Sequence, residues 1–391
     1  MEGLFALVKH RKRFLFIYLA TLFLSLHYFT TVYVNSSLLS LYASASFISL
    51  LYVIGSLINI VGFVFFTPLL RAFGNAKLLI LLSLLEFSAV LGLAFVQTPS
   101  LVLALFIFHQ ALPPLILFTL DIFLENTPHR ESKTGGLRGV FLTVTNLALV
   151  LAPLIIAGTV KDTNFSYTYL VAALFLIPLL IIAVTSLSKS HEPHYQPLHI
   201  KKTVRTFLED KNLKGVFIAN LLLQLFYAWM VVYTPLYLRD IGLSWQEIGL
   251  VFTFMLLPFV LFELPIGRLS DSRFGEKEFM IAGFITLSFS VALMSFITAP
   301  SLIMWAILLF LTRTGASFIE ITTESYFFKK VHAKDSGLIS VFRMTRPLSF
   351  IIGPIIGALV LLVFDLNYAF VVFGVLLALG IPASRMIKDT L

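Results

Sequence analysis

The sequence contains no cysteine, so disulfides and thiolate metal sites are excluded. Charge is scarce too. Asp, Glu, Lys and Arg make up 12% of 391 residues, against roughly 25% in an ordinary soluble domain. That poverty excludes a soluble globular enzyme, a disordered chain and a nucleic-acid-binding module. No Walker-type glycine loop occurs, which argues against ATP-driven chemistry. His191-Glu-Pro-His194 has His-x-x-His rather than His-x-x-x-His spacing, and Pro193 disfavours a helix there. No metal site and no cofactor are expected.

What is abundant is apolar surface, 59% of the chain. A bilayer-crossing helix needs about 20 mostly apolar residues, so twelve would use roughly 240. Twelve runs separated by polar breaks fit this pattern: Phe14–Val34, Ser46–Leu70, Lys77–Val96, Ser100–Leu124, Arg138–Gly158, Tyr167–Leu187, Leu213–Leu238, Glu247–Arg268, Phe279–Thr298, Ser301–Phe328, Leu338–Phe364 and Tyr368–Ile387. None alternates with the period of two that barrel strands require. Phe14–Val34 is too long for a signal-peptide core and is read as the first span. The expected fold is an all-α polytopic membrane protein.

The formal charge of +8 reads as topology rather than as a polyanion site. Lys9 to Arg13, Arg71, Lys77, Arg130, Lys133, Lys201, Lys202, Lys277, Lys329 and Lys330 fall on one side, whereas Lys161 and Arg239 fall on the other. This bias predicts both termini in the cytoplasm of a multi-pass protein of the cell membrane. The longest polar stretch, 188–212, separates six spans (1–187) from six (213–391). Within it, Val204, Phe207 and Leu208 share a helical face, which suggests an amphipathic helix on the inner membrane surface.

The halves repeat. At an offset of 201, Phe73-Gly74 matches Phe274-Gly275, Pro99-Ser100-Leu101 matches Pro300-Ser301-Leu302, and Gly136 and Pro153 match Gly337 and Pro354. An even number of spans lies between them, so the halves are parallel repeats. The connection after the eighth span reads Gly267-Arg-Leu-Ser-Asp271-Ser-Arg273-Phe-Gly275-Glu-Lys277. It resembles the inner-loop signature of the major facilitator superfamily, with one extra residue before Gly275 and Glu276 where a base is usual. The first-half counterpart, Pro68 to Lys77, keeps its glycine and bases but lacks the acid. The resemblance implies two six-helix bundles, a transport site lined by the first, fourth, seventh and tenth spans, and gating by Gly267, Asp271, Arg273 and Gly275. Asp271 is expected to meet the N-terminus of a neighbouring helix, with the eleventh span as candidate. Ser349, Gly353 and Gly357 form a small-residue stripe beside Pro354, which resembles an exporter motif and also suits close packing.

Charges inside spans carry the most information, since each costs a few kcal/mol unless paired or hydrated. Arg313, Ser317, Glu320 and Glu324 line one face of the tenth span, and Arg343 and Arg346 lie on the eleventh. Depths of about 6 and 12 Å for Glu324 and Glu320 suit a ladder with Arg343 and Arg346, at about 9 and 13.5 Å. Glu324–Arg343 is read as a gating lock, with Glu263 a further partner, and Glu320 with Arg346 as the proton-coupling pair. These six charges all lie in the second half, where the coupling chemistry is expected. The substrate-contact candidates are Arg313, His27, His109, Gln110, Asn220, Gln224, Tyr227 and Trp229. Glu86, on the third span, is an outlying proton-site candidate.

The expected function is secondary transport by alternating access, proton-coupled, in a monomer that meets a small-molecule substrate and the lipid bilayer. Export of amphipathic compounds is favoured by the apolar, aromatic helices. Uptake or exchange of an organic anion or sugar is the alternative carried by Arg313, and a non-transporting sensor or assembly factor is the alternative of another class.

Overall fold

The computed structural model describes residues 2–32, 34–130, 133–160, 164–189, 192–196 and 199–390, so Lys161 and His191 lie outside the described residues. Among the described residues all regular structure is helical. In chain order the helices are α1 (Glu2–Val32), α2 (Asn35–Leu39), α3 (Ala45–Phe73), α4 (Asn75–Phe95), α5 (Pro99–Glu125), α6 (Thr134–Thr159), α7 (Ser166–Ile182), α8 (Ile200–Glu209), α9 (Lys211–Asp240), α10 (Trp245–Met255), α11 (Leu257–Leu269), α12 (Gly275–Met294), α13 (Leu302–Lys330), α14 (Ser336–Arg343), α15 (Thr345–Leu361), α16 (Leu366–Ala378) and α17 (Gly380–Arg385).

Eleven helical stretches are long and apolar enough to cross a membrane. One of them, Gln246–Met294, has 49 residues, roughly twice what a single crossing uses. It contains the eighth and ninth expected spans, so the described residues offer twelve apolar crossings. Large apolar side chains remain on the outside, with Leu154, Phe289 and Leu362 exposed by 71%, 69% and 81%. In water such patches would drive association, whereas in lipid they are solvated.

Sequence accounts for the breaks. The α10/α11, α14/α15 and α16/α17 interruptions fall at Leu256, Met344 and Leu379. Each lies two or three residues before a proline, Pro258, Pro347 or Pro382, which removes one i→i−4 hydrogen bond and crowds the preceding turn. In α5, Pro113-Pro114 disturbs the ladder in the same way. Asn59 meets the freed region by donating to Ala111 O at 3.0 Å and Gln110 O at 3.4 Å. At the start of α9, Asp210 accepts from the backbone N–H of Asn212 and Leu213.

Two compact units emerge: residues 1–128, 144–200 and 331–344 form one, and residues 129–143, 201–330 and 345–391 the other. The first part of α6 therefore belongs with the second unit, and α14 with the first. In the first unit, Val34, Leu39, Val90, Val102, Phe106, Tyr169 and Ala172 make a shared core. In the second, Trp229 stacks on Phe373 at 4.3 Å between centroids, and Tyr237 meets Trp305 and Phe370 edge-on. Gly283 and Gly315 let α12 and α13 approach until a Cβ on either would stand 2.7–2.8 Å from the other's carbonyl oxygen. The Gly353/Gly357 stripe of α15 packs on Ala228 and Tyr233 of α9.

The repeat reappears in local geometry. Gly74 and Gly275, 201 residues apart, take positive φ of 80° and 72°, a conformation open to glycine at little cost. Each stands at the start of a helix whose N-terminus receives a carboxylate from later in the same unit. Glu192 accepts from Ala76 N at 3.1 Å, and Asp389 accepts from Glu276 N at 3.0 Å. Negative charge suits both helix starts. Tyr195 donates to Glu192 at 2.7 Å; burial and that carboxylate push its hydroxyl above the ordinary range, so it stays a donor. The amphipathic helix forms as α8. Phe207 is buried against Phe217 and Phe327, while Val204 and Leu208 remain exposed.

Replacing Gly315 by Val would force a branched side chain into the α12/α13 contact. A loss of about 1–3 kcal/mol is expected, read as a lower melting midpoint of the purified protein. An unchanged midpoint would show that the two backbones do not need to be this close.

Candidate functional site

Three buried polar centres stand out. The deepest lies in the first unit, where His27 of α1, Glu86 of α4 and His109 of α5 converge with side chains no more than 1% exposed. His27 Nε2 is 2.7 Å and His109 Nδ1 is 2.5 Å from the same oxygen, Glu86 Oε1. His27 Nδ1 donates to Ala172 O at 3.0 Å. Asn35 Nδ2 donates to His109 Nε2 at 3.3 Å, and Tyr169 donates to Asn35 Oδ1 at 2.7 Å. All four ring nitrogens of these two substrate-contact candidates are engaged within the first unit. Glu86, expected at the periphery, is their common partner. Ligand atoms from the three residues all lie within 4.8 Å of one another, close enough to hold one metal ion.

The second centre contains the glycine-acid motif and lies in the second unit. Asp271 accepts from Gly135 N at 3.0 Å and Gly136 N at 2.8 Å. It therefore caps the fifth span, α6, not the eleventh. The approach is made possible by glycine on both sides: a Cβ on Gly135 or Gly267 would collide with the other's backbone. The extra residue before Gly275 is absorbed by a π-helical turn at Ser270–Phe274, the usual outcome of a one-residue insertion in a helix. Glu276, anomalous in the sequence, is fully buried and pairs with Lys329, which also lies 3.0 Å from Asp271. The base that the motif lacks comes from the end of α13. One turn away, Arg138 is 3.7 Å from Glu324 and stacks over Phe328 at 3.3 Å. Arg273 is exposed.

The first unit carries a counterpart to this lock. Arg343 of α14 forms a two-point pair with Asp121 of α5, at 2.8 and 2.9 Å. Thr67 and Ser336 share a hydrogen bond of 3.0 Å where the second unit has its carboxylate cap. The ladder expected from sequence named neither Asp121 nor Arg138. Both are first-half charges, fully buried, so buried charge is not confined to the second half. Each sits close to the end of a span, where a sequence reading assigns charge to water. Their shared signal is position: an acid on the fourth span and a base on the fifth, mirroring Glu324 and Arg343 on the tenth and eleventh.

The third centre gathers side chains from α9, α11 and α13. Tyr227 donates to Glu320 Oε2 at 2.6 Å. Glu263 and Arg313 lie within electrostatic reach of the same hydroxyl. Arg313 rests over Phe226 at 4.6 Å. Tyr227, a contact of Glu320, was not in the ladder, and Arg346 is exposed. Gln224 is half-buried on the same helix. Asn220 is turned to Thr345, donating at 2.9 Å. Trp229 is part of the α9–α16 core, 1% exposed. In the first unit, Gln110 packs over Gly55.

Twelve apolar crossings, a recurring six-span pattern and buried ionic centres define a polytopic helix-bundle carrier. The sequence profile of the Major Facilitator Superfamily matches residues 14–246 and 216–389. The chain belongs to that superfamily; it is a membrane transporter, not an enzyme. Its fold is similar to the human organic anion transporter MFSD10 (TETRAN), with TM-score 0.74, 14% identity, and 96% of this chain and 99% of that one covered. It is likewise similar to a bacterial homologue of the iron transporter ferroportin in its outward-facing state, with TM-score 0.74, 14% identity, and coverage of 95% and 99%. At that identity the likeness is one of fold. No curated protein matches.

A double-mutant cycle tests the first-unit pair. Asp121→Ala and Arg343→Ala should each lower the melting midpoint, with a coupling of about 0.5–3 kcal/mol in the double variant. Additive losses would mean that the two side chains do not act together.

Proposed function

We propose that the chain is a proton-coupled secondary transporter working by alternating access, with Glu320 as the proton carrier. The Tyr227–Glu320 hydrogen bond, within reach of Glu263 and Arg313, carries this reading. Two carboxylates and one guanidinium share a mostly apolar setting in which charge is costly. A proton on Glu320 cancels its charge, weakens its attraction for Arg313 and makes its hydrogen bond to Tyr227 a neutral one. A transporter moves between end states when a ligand favours one over the other, and this site offers the proton such a preference. Arg346 stands as a more distant modulator.

Small amphipathic compounds, exported, suit the site best, because Phe226, Tyr227 and Phe259 supply aromatic surface around few polar groups. Uptake or exchange of an organic anion is the second reading. It rests on Arg313 and on the fold shared with an organic anion transporter. Asp121–Arg343, Arg138–Glu324 and Asp271 with Gly135 and Gly136 are the contacts that hold one end state, together with Gly267, Gly275 and Arg273. The basic loops orient both termini to the cytoplasm of a cell membrane. Division by repeat, 1–187 and 213–391 about the 188–212 linker, describes the two bundles, and a monomer suffices for transport.

Purified protein in liposomes under an imposed pH gradient tests the coupling, with fluorescent amphipathic cations and organic anions as probes. Glu320→Gln is expected to reduce gradient-driven accumulation at least about tenfold while leaving gradient-free exchange, because a permanently neutral carboxamide does not respond to pH. Tyr227→Phe should shift the pH dependence of transport, since hydrogen bonds to charged groups contribute about 1.5–3 kcal/mol. Unchanged accumulation in Glu320→Gln would remove Glu320 as the proton carrier.

A further inference from the structure

Nothing in the transport reading uses the His27–Glu86–His109 centre. Its stereochemistry raises a separate question. Three helices, α1, α4 and α5, each commit one metal-ligating side chain to a point that is otherwise sealed. Glu86 Oε1 serves both imidazoles, while Glu86 Oε2 is buried with no hydrogen-bond partner among the described residues. A carboxylate with one doubly used oxygen and one idle oxygen is poorly satisfied as a hydrogen-bond acceptor. It is well disposed to close on a cation through both.

We propose that His27 Nε2, His109 Nδ1 and the Glu86 carboxylate form a binding site for one first-row divalent metal ion of the zinc type. Two imidazoles and a carboxylate are a donor set that Zn²⁺ and its neighbours accept. The absence of thiolate or thioether donors disfavours Cu⁺, and the nitrogen donors disfavour Ca²⁺ and Mg²⁺. Supporting hydrogen bonds are already present. Ala172 O holds the His27 Nδ1 proton at 3.0 Å, which leaves Nε2 as the coordinating atom, the arrangement that ligating histidines adopt. Asn35 lies on the far side of His109. Turning its amide over would present Oδ1 to a His109 Nε2 proton and Nδ2 to the Tyr169 hydroxyl, so neither contact is lost.

The proton balance follows from the same bonds. Without metal, His27 keeps a proton on Nδ1, His109 keeps one on Nδ1, and one is shared between His27 Nε2 and Glu86 Oε1. With metal, the His109 proton moves to Nε2 and the shared proton leaves. Binding therefore releases one proton per ion. Because the side chains are enclosed, the ion is resident and braces α1, α4 and α5. It is not cargo, and the site stands or falls separately from the Glu320 reading.

The test uses the full-length protein in detergent, stripped with a chelator and then titrated with Co²⁺ and Zn²⁺. One Co²⁺ per chain is expected, with visible d–d absorption, displacement by Zn²⁺ and one proton released to a pH indicator. Glu86→Gln should abolish the absorption. Asn35→Ala, which keeps all three ligands, should weaken binding by about 10–100-fold. Saturable absorption that survives in Glu86→Gln would place the ion elsewhere and overturn the site. So would folded wild-type protein that takes up no stoichiometric Co²⁺, leaving a hydrogen-bonded triad that holds only protons. If Glu86→Gln does not fold, the wild-type stoichiometry and Asn35→Ala decide the matter.

Discussion

Charge placed in a low-dielectric interior has to be met by opposite charge or by hydrogen bonds, and the inside of this protein is organised around that requirement. Glu86 takes two imidazoles, Asp121 takes both arms of Arg343, Glu276 takes Lys329, and Glu320 takes a phenol. Each contact joins different helices, so each also fixes how those helices meet. Apolar packing cannot specify such register in a membrane, because lipid tails compete for the same surfaces. Polar pairs and glycine contacts carry that task here.

The asymmetry between the two repeats has chemical meaning. In the second unit, a carboxylate and two glycines bind the start of α6, with Lys329 and Glu276 behind them. In the first, a hydroxyl pair and the Asp121–Arg343 bridge hold α14. One lock uses a helix terminus, which keeps its partial charge at any pH. The other is an ordinary ion pair. Contacts built so differently respond differently to salt.

The unusual letters of the motif have physical explanations. Glu276, which departs from the superfamily pattern, is met by its countercharge Lys329 at the end of α13. The inserted residue widens one turn into a π-helix and leaves Gly275 at the positive φ that its repeat partner Gly74 also adopts. Both departures were visible in the sequence. Their compensation was not, because Lys329 lies 53 residues from Glu276.

Span number, repeat and the amphipathic α8 were legible because each depends on local composition: runs of about 20 apolar residues, an offset of 201 and helical spacing. Some positions of buried charge were legible as well, since Arg313, Glu320 and Glu324 lie within an apolar run, whereas Asp121 and Arg138 near span ends were not. The partners were not legible. Depth along an ideal helix paired Glu324 with Arg343 and Glu320 with Arg346, but such a count does not reach Arg138, Asp121 or Tyr227, which the fold brings to these side chains from other helices. His27, Glu86 and His109 lie 59 and 23 residues apart, with nothing local to link them. Separations this long carry no local metal motif. Low charge and long apolar runs determined that this is a membrane helix bundle, for hydrophobic burial is set by composition. Tertiary structure decided which charge meets which, because that depends on helix crossing and break points a few ångströms at a time.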